Sequence, residues 1–303
     1  MNDTSFQKPE VPIIIIERDE EPQSKETVKD AVPPSRKKKW LGRFISVITI
    51  AGCMAAVAVG YHYWNYYYHI GVPVSVTPAQ NIQILQGAAS KETPEVVMTS
   101  DSILGVALDF YAIHGLRATI SFEEPDTADT SVYLYSRSAD HNADGTYLGS
   151  LVVNGEVRNK DATRLGYMAM VGGNSVIGIS RSDKVRRYVE EQGGSFFRQF
   201  ILVSNSTIPD KFHLHGKVER RAIGRMGDRL YYIATRHKET LWDFADALRE
   251  YGFIDAIYIT GGTDYGYYRS KDGVRHDIGD PSDYPHTKWK GIIPWLVFRA
   301  NAD

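Results

Sequence analysis

From Phe44 to Tyr61 the chain reads FISVITIAGCMAAVAVGY, with no charged side chain. A helix over Leu41 to Tyr61, about 21 residues at 1.5 Å each, reaches roughly the 30 Å of a bilayer's hydrocarbon core. Trp40 stands at one end, and Tyr61, Tyr63, Trp64, Tyr66, Tyr67 and Tyr68 crowd the other as an interfacial belt. Arg36, Lys37, Lys38, Lys39 and Arg43 all lie on the N-terminal side, and no Lys or Arg follows until Lys91. That asymmetry places the preceding tail in the cytoplasm and the rest of the chain outside, in a periplasmic or extracellular space. Two other readings share the pattern. A cleaved signal peptide would have a short leading region and an A-x-A site, whereas about 40 residues precede this run. Ile50-Ala51-Gly52-Cys53 resembles a bacterial lipobox that would lipidate Cys53, although the apolar run continues through Val57. Cys53 is the chain's one cysteine, so the external part must fold without disulfides.

The anchor divides the remaining sequence. Residues 1–39 are rich in charge and proline, with one apolar patch at Val11–Ile16, and read as a disordered cytoplasmic tail. Residues 40–64 form the transmembrane helix, 65–95 a stalk or linker, and 96–303 the folded domain. A formal charge of −2 and the lack of a basic stripe in the globular part argue against a nucleic-acid partner. The expected partner is the membrane itself, and no segment identifies a protein partner.

Within the domain, Ile120–Phe122, Val132–Tyr135, Leu151–Val153, Ser175–Ile179 and Gln199–Val203 carry the branched and aromatic residues of strands. Asp183–Gln192 reads as a helix with Ser182 as N-cap and Gly193 closing it. Arg229–Thr235 is a strand introduced by the turn pair Gly227-Asp228. Thr240 caps an amphipathic helix running to Tyr251, with Leu241, Phe244, Ala245 and Leu248 on its apolar face and Gly252 at its C-cap. Asp255–Thr260 is a second strand that runs into Gly261-Gly262. Strands outnumber helices and their spacing is irregular. The expected class is α+β, mixed β-sheets with a few helices, preceded by one transmembrane helix.

Strand, helix, strand and a terminal glycine pair make a place where backbone approaches a ligand closely. These residues resemble the phosphodiester glycosidase family. Arg220-Arg221-Ala222-Ile223-Gly224 stands where that family has "RTAIG", and Ile259-Thr260-Gly261-Gly262-Thr263-Asp264 where it has "LDGGGS". Asp144-Gly145-Thr146-Tyr147-Leu148-Gly149, followed by Leu151-Val152-Val153 and Asn154-Gly155, is similar to "DGTPLGLVVxDG". Two signatures differ. Thr260 replaces the family's aspartate, and Arg137-Ser138-Ala139-Asp140-His141 stands in place of "NGGFF".

The resemblance implies a glycosidase-like hydrolase acting on a sugar phosphodiester or envelope glycan, and the apolar run and its charged flank imply that it is membrane-anchored and extracytoplasmic. Arg220, Thr260, Gly261, Gly262 and Thr263 would bind the sugar phosphate. Asp264, His141 and Asp140 are the candidates for proton transfer or water activation. The alternative is a catalytically inactive relative that binds a glycan or sugar phosphate. No GxGxxG or P-loop is present, and neither cofactor nor metal is expected. His213-x-His215 has the spacing of a metal pair but no nearby carboxylate. His276, Asp277, Asp280, Asp283 and His286 lie in a loop of solvated character.

Overall fold

The computed structural model describes residues 36–68, 76–138, 145–209, 212, 215–262, 264–280 and 292–300. The chain divides into two units, Met1–Ala56 and Val57–Asp303. Among the described residues of the first, one helix, α1 (Arg36–Tyr68), begins. Its Arg43–Trp64 segment, 22 residues with mean hydropathy 2.0, is long and apolar enough to cross a membrane.

The larger unit is α+β, as expected. In chain order it holds α2 (Pro78–Leu85), β1 (Glu95–Ile103), β2 (Val106–His114), β3 (Leu116–Ser121) and β4 (Val132–Arg137). Then come β5 (Leu151–Val153), β6 (Glu156–Asn159), β7 (Gly166–Val171), β8 (Asn174–Ile179), α3 (Lys184–Glu191), β9 (Ser195–Gln199) and β10 (Ile201–Val203). The rest is β11 (Arg220–Met226), β12 (Arg229–Thr235), α4 (Leu241–Tyr251), β13 (Asp255–Gly261), β14 (Gly266–Arg269), β15 (Arg275–Ile278) and β16 (Trp295–Ala300).

The strands form three sheets, ordered β1-β2-β12-β11-β13-β10, β15-β14-β4-β16-β3 and β6-β5-β9-β7-β8. Neighbours pair antiparallel throughout the described strands. One core lies among all three sheets, drawing Tyr232, Ile223 and Ile259 from the first, Leu134 and Phe298 from the second, and Met168 and Phe197 from the third. The opposite face of the first sheet carries α4, whose Leu241, Phe244, Ala245 and Leu248 are buried against Ala222, Ile233 and Ala256. Period-2 alternation thus gives the first sheet one face toward the common core and one toward α4.

Helix α4 follows its sequence closely. Thr240 Oγ1 accepts from the Asp243 amide at 3.0 Å, and Gly252 closes the helix at φ 109°. Helix α3 starts one residue later than the Ser182 cap implies. Asp183 is its N-cap residue, and Ser182 Oγ instead accepts from the Lys184 amide. The segment read as a stalk contains α2, opened by a Thr77–Gln80 capping box with proline in its first turn. Leu85 of α2 joins Val176, Val185 and Val189 in a core on the outer face of the third sheet, and Asn81 donates to the Tyr167 hydroxyl. The folded part therefore reaches back before residue 96.

Candidate functional site

Strand β11 lies between β12 and β13. It turns into β12 through Gly227-Asp228, and α4 carries the chain over to β13. β12 and β13 therefore run parallel with β11 antiparallel between them, a split crossover. The register sets Arg220 opposite Gly261 and Arg221 opposite Thr260, with a bulge immediately beyond. The arginine pair and the glycine loop thus share one sheet edge, next to the kind of irregularity that re-aims side chains.

The two loop glycines are needed for different reasons. A Cβ at Gly261 would come within 2.0 Å of the Tyr258 hydroxyl. Gly262 has open space around it but adopts φ +87°, which L side chains avoid.

Alternation sends the adjacent arginines to opposite faces. Arg220 points to the α4 side, where its guanidinium donates to Gly216 O at 2.6 Å, Glu239 O at 3.0 Å and Tyr258 Oη at 3.2 Å. Arg221 points the other way, and it is this arginine that holds the loop. Its Nη1 donates to Gly262 O at 2.9 Å and its Nη2 to Asp264 O at 3.0 Å. The Glu219 carboxylate lies 3.6 Å away, and the Arg221 side chain is only 4% exposed. Burial opposes its charge, but Tyr232, Asp264 and Glu219 outweigh that and hold the guanidinium above its usual pKa. Arg221 therefore stays a cation under the loop.

Around it lies a polar island in an apolar core. Tyr232 Oη and Ser136 Oγ are hydrogen-bonded at 3.0 Å, and Tyr111 packs edge-on against Tyr232. Burial pushes the Tyr232 phenol up to about 12 despite the lowering effect of Arg221. Burial also raises Tyr111, helped by Tyr232 and Asp109. Both rings stay neutral at physiological pH.

Asp264 is 5% exposed, and its Oδ1 accepts from the Tyr265 amide at 2.9 Å. Thr260, at the family's aspartate position, is fully buried. Asp140, His141 and Thr263 lie outside the described residues, as do His213, Asp283 and His286. His215 is exposed. Asp277 accepts from Tyr265 Oη at 2.9 Å and Arg275 Nη2 at 3.0 Å, and His276 stacks on Tyr268. Among the described residues no group of three or more His, Cys, Asp or Glu is placed to hold a metal. The segment similar to "DGTPLG" is pinned by Asn159, whose Nδ2 donates to Tyr147 O and Gly149 O.

Either arginine of the pair could clamp a phosphodiester, and the family resemblance singles out Arg220 and not Arg221; Tyr232 and Ser136 lie outside the motifs that carry it. Parity offered a signal. Arg221 and Ile223 share a face of β11, and Ile223 is directly opposite Tyr232 in the ladder.

No protein-family model matches the chain, and no curated protein matches it in sequence. Among solved structures it is similar to the catalytic domain of zebrafish N-acetylglucosamine-1-phosphodiester alpha-N-acetylglucosaminidase, auto-inhibited by its pro-peptide. That match has 13% identity and TM-score 0.49, covering 71% of this chain and 87% of the other. It is also similar to a hypothetical protein from Synechocystis, at 9% identity and TM-score 0.48, covering 70% of this chain and 64% of that one.

Proposed function

We propose that residues 76–303 form a receptor domain outside the cytoplasm, tethered by α1, that binds a phosphate-linked sugar or envelope glycan at the edge carrying Gly261 and Gly262. The observation that carries this reading is Arg221, a buried cation whose two nitrogens draw the Gly262 and Asp264 carbonyls inward. A fixed cation beneath a glycine turn, with open space beside the backbone at Gly262, favours a phosphate or sugar oxygen there. Resemblance of the RRAIG and ITGGTD segments to the phosphodiester glycosidase family supports the same ligand class.

One observation favours turnover as a second reading. Asp264 brings a carboxylate into the loop beside the Arg221 guanidinium. With that carboxylate accepting a proton from water, attack on the sugar–phosphate linkage would give the free sugar and a phosphate monoester.

The test uses the full chain in neutral detergent with a panel of sugar 1-phosphodiesters, measuring both binding and sugar release. Saturable binding that is lost in Gly262→Val supports the receptor reading. Sugar release that is lost in Asp264→Asn while binding persists supports the hydrolase. Neither binding nor release from any panel member overturns both.

A further inference from the structure

A solvent-open cavity of about 540 Å³ lies at a different place in the domain, where β3 and β16 meet the turns of the third sheet. Its wall includes Arg117, Arg299, Asn154, Gln192 and Ser195, and no lining residue is acidic. Along β16, Arg299 is four residues, about 13 Å by strand rise, beyond Trp295. Trp295 follows Pro294, whose carbonyl receives the Ser138 amide at the end of β4 that leads toward the "NGGFF" position. None of the cavity's lining residues belongs to β11, β13 or the glycine loop.

Arg117 and Arg299 are directly opposite in the β3–β16 ladder, so both side chains stand on one face. Like charges in that relation repel and destabilise the pair. Arg299 is compensated, donating to the Asp129 carboxylate and to Ser131 Oγ. Arg117 is exposed and has no hydrogen bond or ion pair among the described residues. The wall therefore carries net positive charge with nothing on the cavity side to offset it. Two turns bring backbone to the opening, and Gly172 and Gly193 have nothing within 4 Å of where a Cβ would sit. A ligand can approach the main chain closely there. The volume falls within the roughly 300–1,000 Å³ common for small-molecule sites. No aromatic side chain lines it, so the site does not select stacked rings.

We propose that this cavity is a second binding site, for an oxyanion, phosphate or carboxylate, carried on a small polar body. Arg117 receives the anion with its planar fork, the geometry that suits both groups. Asn154 and Gln192 supply amide groups for the polar body.

The test is isothermal titration of the full chain in neutral-detergent micelles with inorganic phosphate and with glucuronate, and with glucose as the uncharged control. The expected result is saturable binding of at least one of the two anions and none of glucose. Arg117→Gln should weaken that binding at least about tenfold, and Arg117→Lys should fall between, keeping charge but losing the fork. Arg117 is exposed on an edge strand and faces another arginine, so the melting temperature of neither variant should fall below that of the unaltered chain. Gly262→Val should leave this binding intact. Absence of saturable anion binding, or equal affinity in Arg117→Gln, overturns the proposal. So does loss of binding in Gly262→Val alone, which would assign the anion to the glycine loop.

Discussion

Arg220 and Gly261 face each other across the β11–β13 ladder, although a hairpin and a whole helix separate them along the chain. The antiparallel return of β11 brings an arginine pair to the end of β13, and side-chain parity then divides the pair between two faces.

That division predicts a difference between conservative and non-conservative changes at Arg221. Arg221→Gln leaves two inward carbonyls without their charged donor, and a loss of about 3 kcal/mol is expected. Arg221→Lys keeps the charge but not the fork, so its loss should be smaller. Urea denaturation of both variants checks this, and an unchanged midpoint for Arg221→Gln would remove the guanidinium from the loop's support.

Gly261→Ala places a methyl group against the Tyr258 hydroxyl, 2.0 Å away in the present geometry. The expected cost is about 1–3 kcal/mol, as for other overpacked sites. Removing the hydroxyl in a Gly261→Ala/Tyr258→Phe double variant should recover part of it. Additive losses in the double-mutant cycle would show that the two groups do not meet.

Leu248 is fully buried between α4 and the first sheet. Truncation to alanine should cost on the order of 2–5 kcal/mol. Thermal unfolding measures it directly, and a Leu248→Ala variant that melts with the parent would mean α4 packs by another face.

Alkali should destabilise the domain through its buried phenols. Tyr232 has an ordinary value of 10.0 and is raised to about 12 in the folded chain, chiefly by burial. Between those pH values the unfolded chain releases this proton and the folded chain keeps it, so stability falls as pH rises. Tyr111 and Tyr135, also raised by burial, act in the same direction. Urea midpoints at pH 9 and pH 11.5 should therefore differ, and by less in Tyr232→Phe. Equal losses in the two proteins would contradict a raised Tyr232.

Charge asymmetry around α1 predicts the tail inside and the domain outside. Protease added to the outer face of sealed membranes should digest or release the domain and spare the tail. A protected domain with a digested tail would reverse the orientation.

Local order along the chain was legible in the residues themselves. The uncharged run at Phe44–Tyr61, the Thr240 cap, the Gly252 terminator and the Gly227-Asp228 turn each depend on interactions within a few positions, and each appears where those interactions require. The Thr77-Pro78-Ala79-Gln80 capping box was equally local and marks α2 inside the expected stalk. Tertiary structure decided the rest. Whether Arg220 or Arg221 meets the glycine loop depends on which face of β11 turns toward the common core, and a shift of one residue would exchange them. Pairing with β12 and β13, interrupted by the bulge beside Arg221, fixes that choice. The same holds for Arg117 and Arg299, brought face to face only because β16, near the end of the chain, inserts between β3 and β4. Caps, turns and periodicity act over a few residues and so can be read from sequence. Strand register and face are set by partners far along the chain, and only the packed fold reveals them.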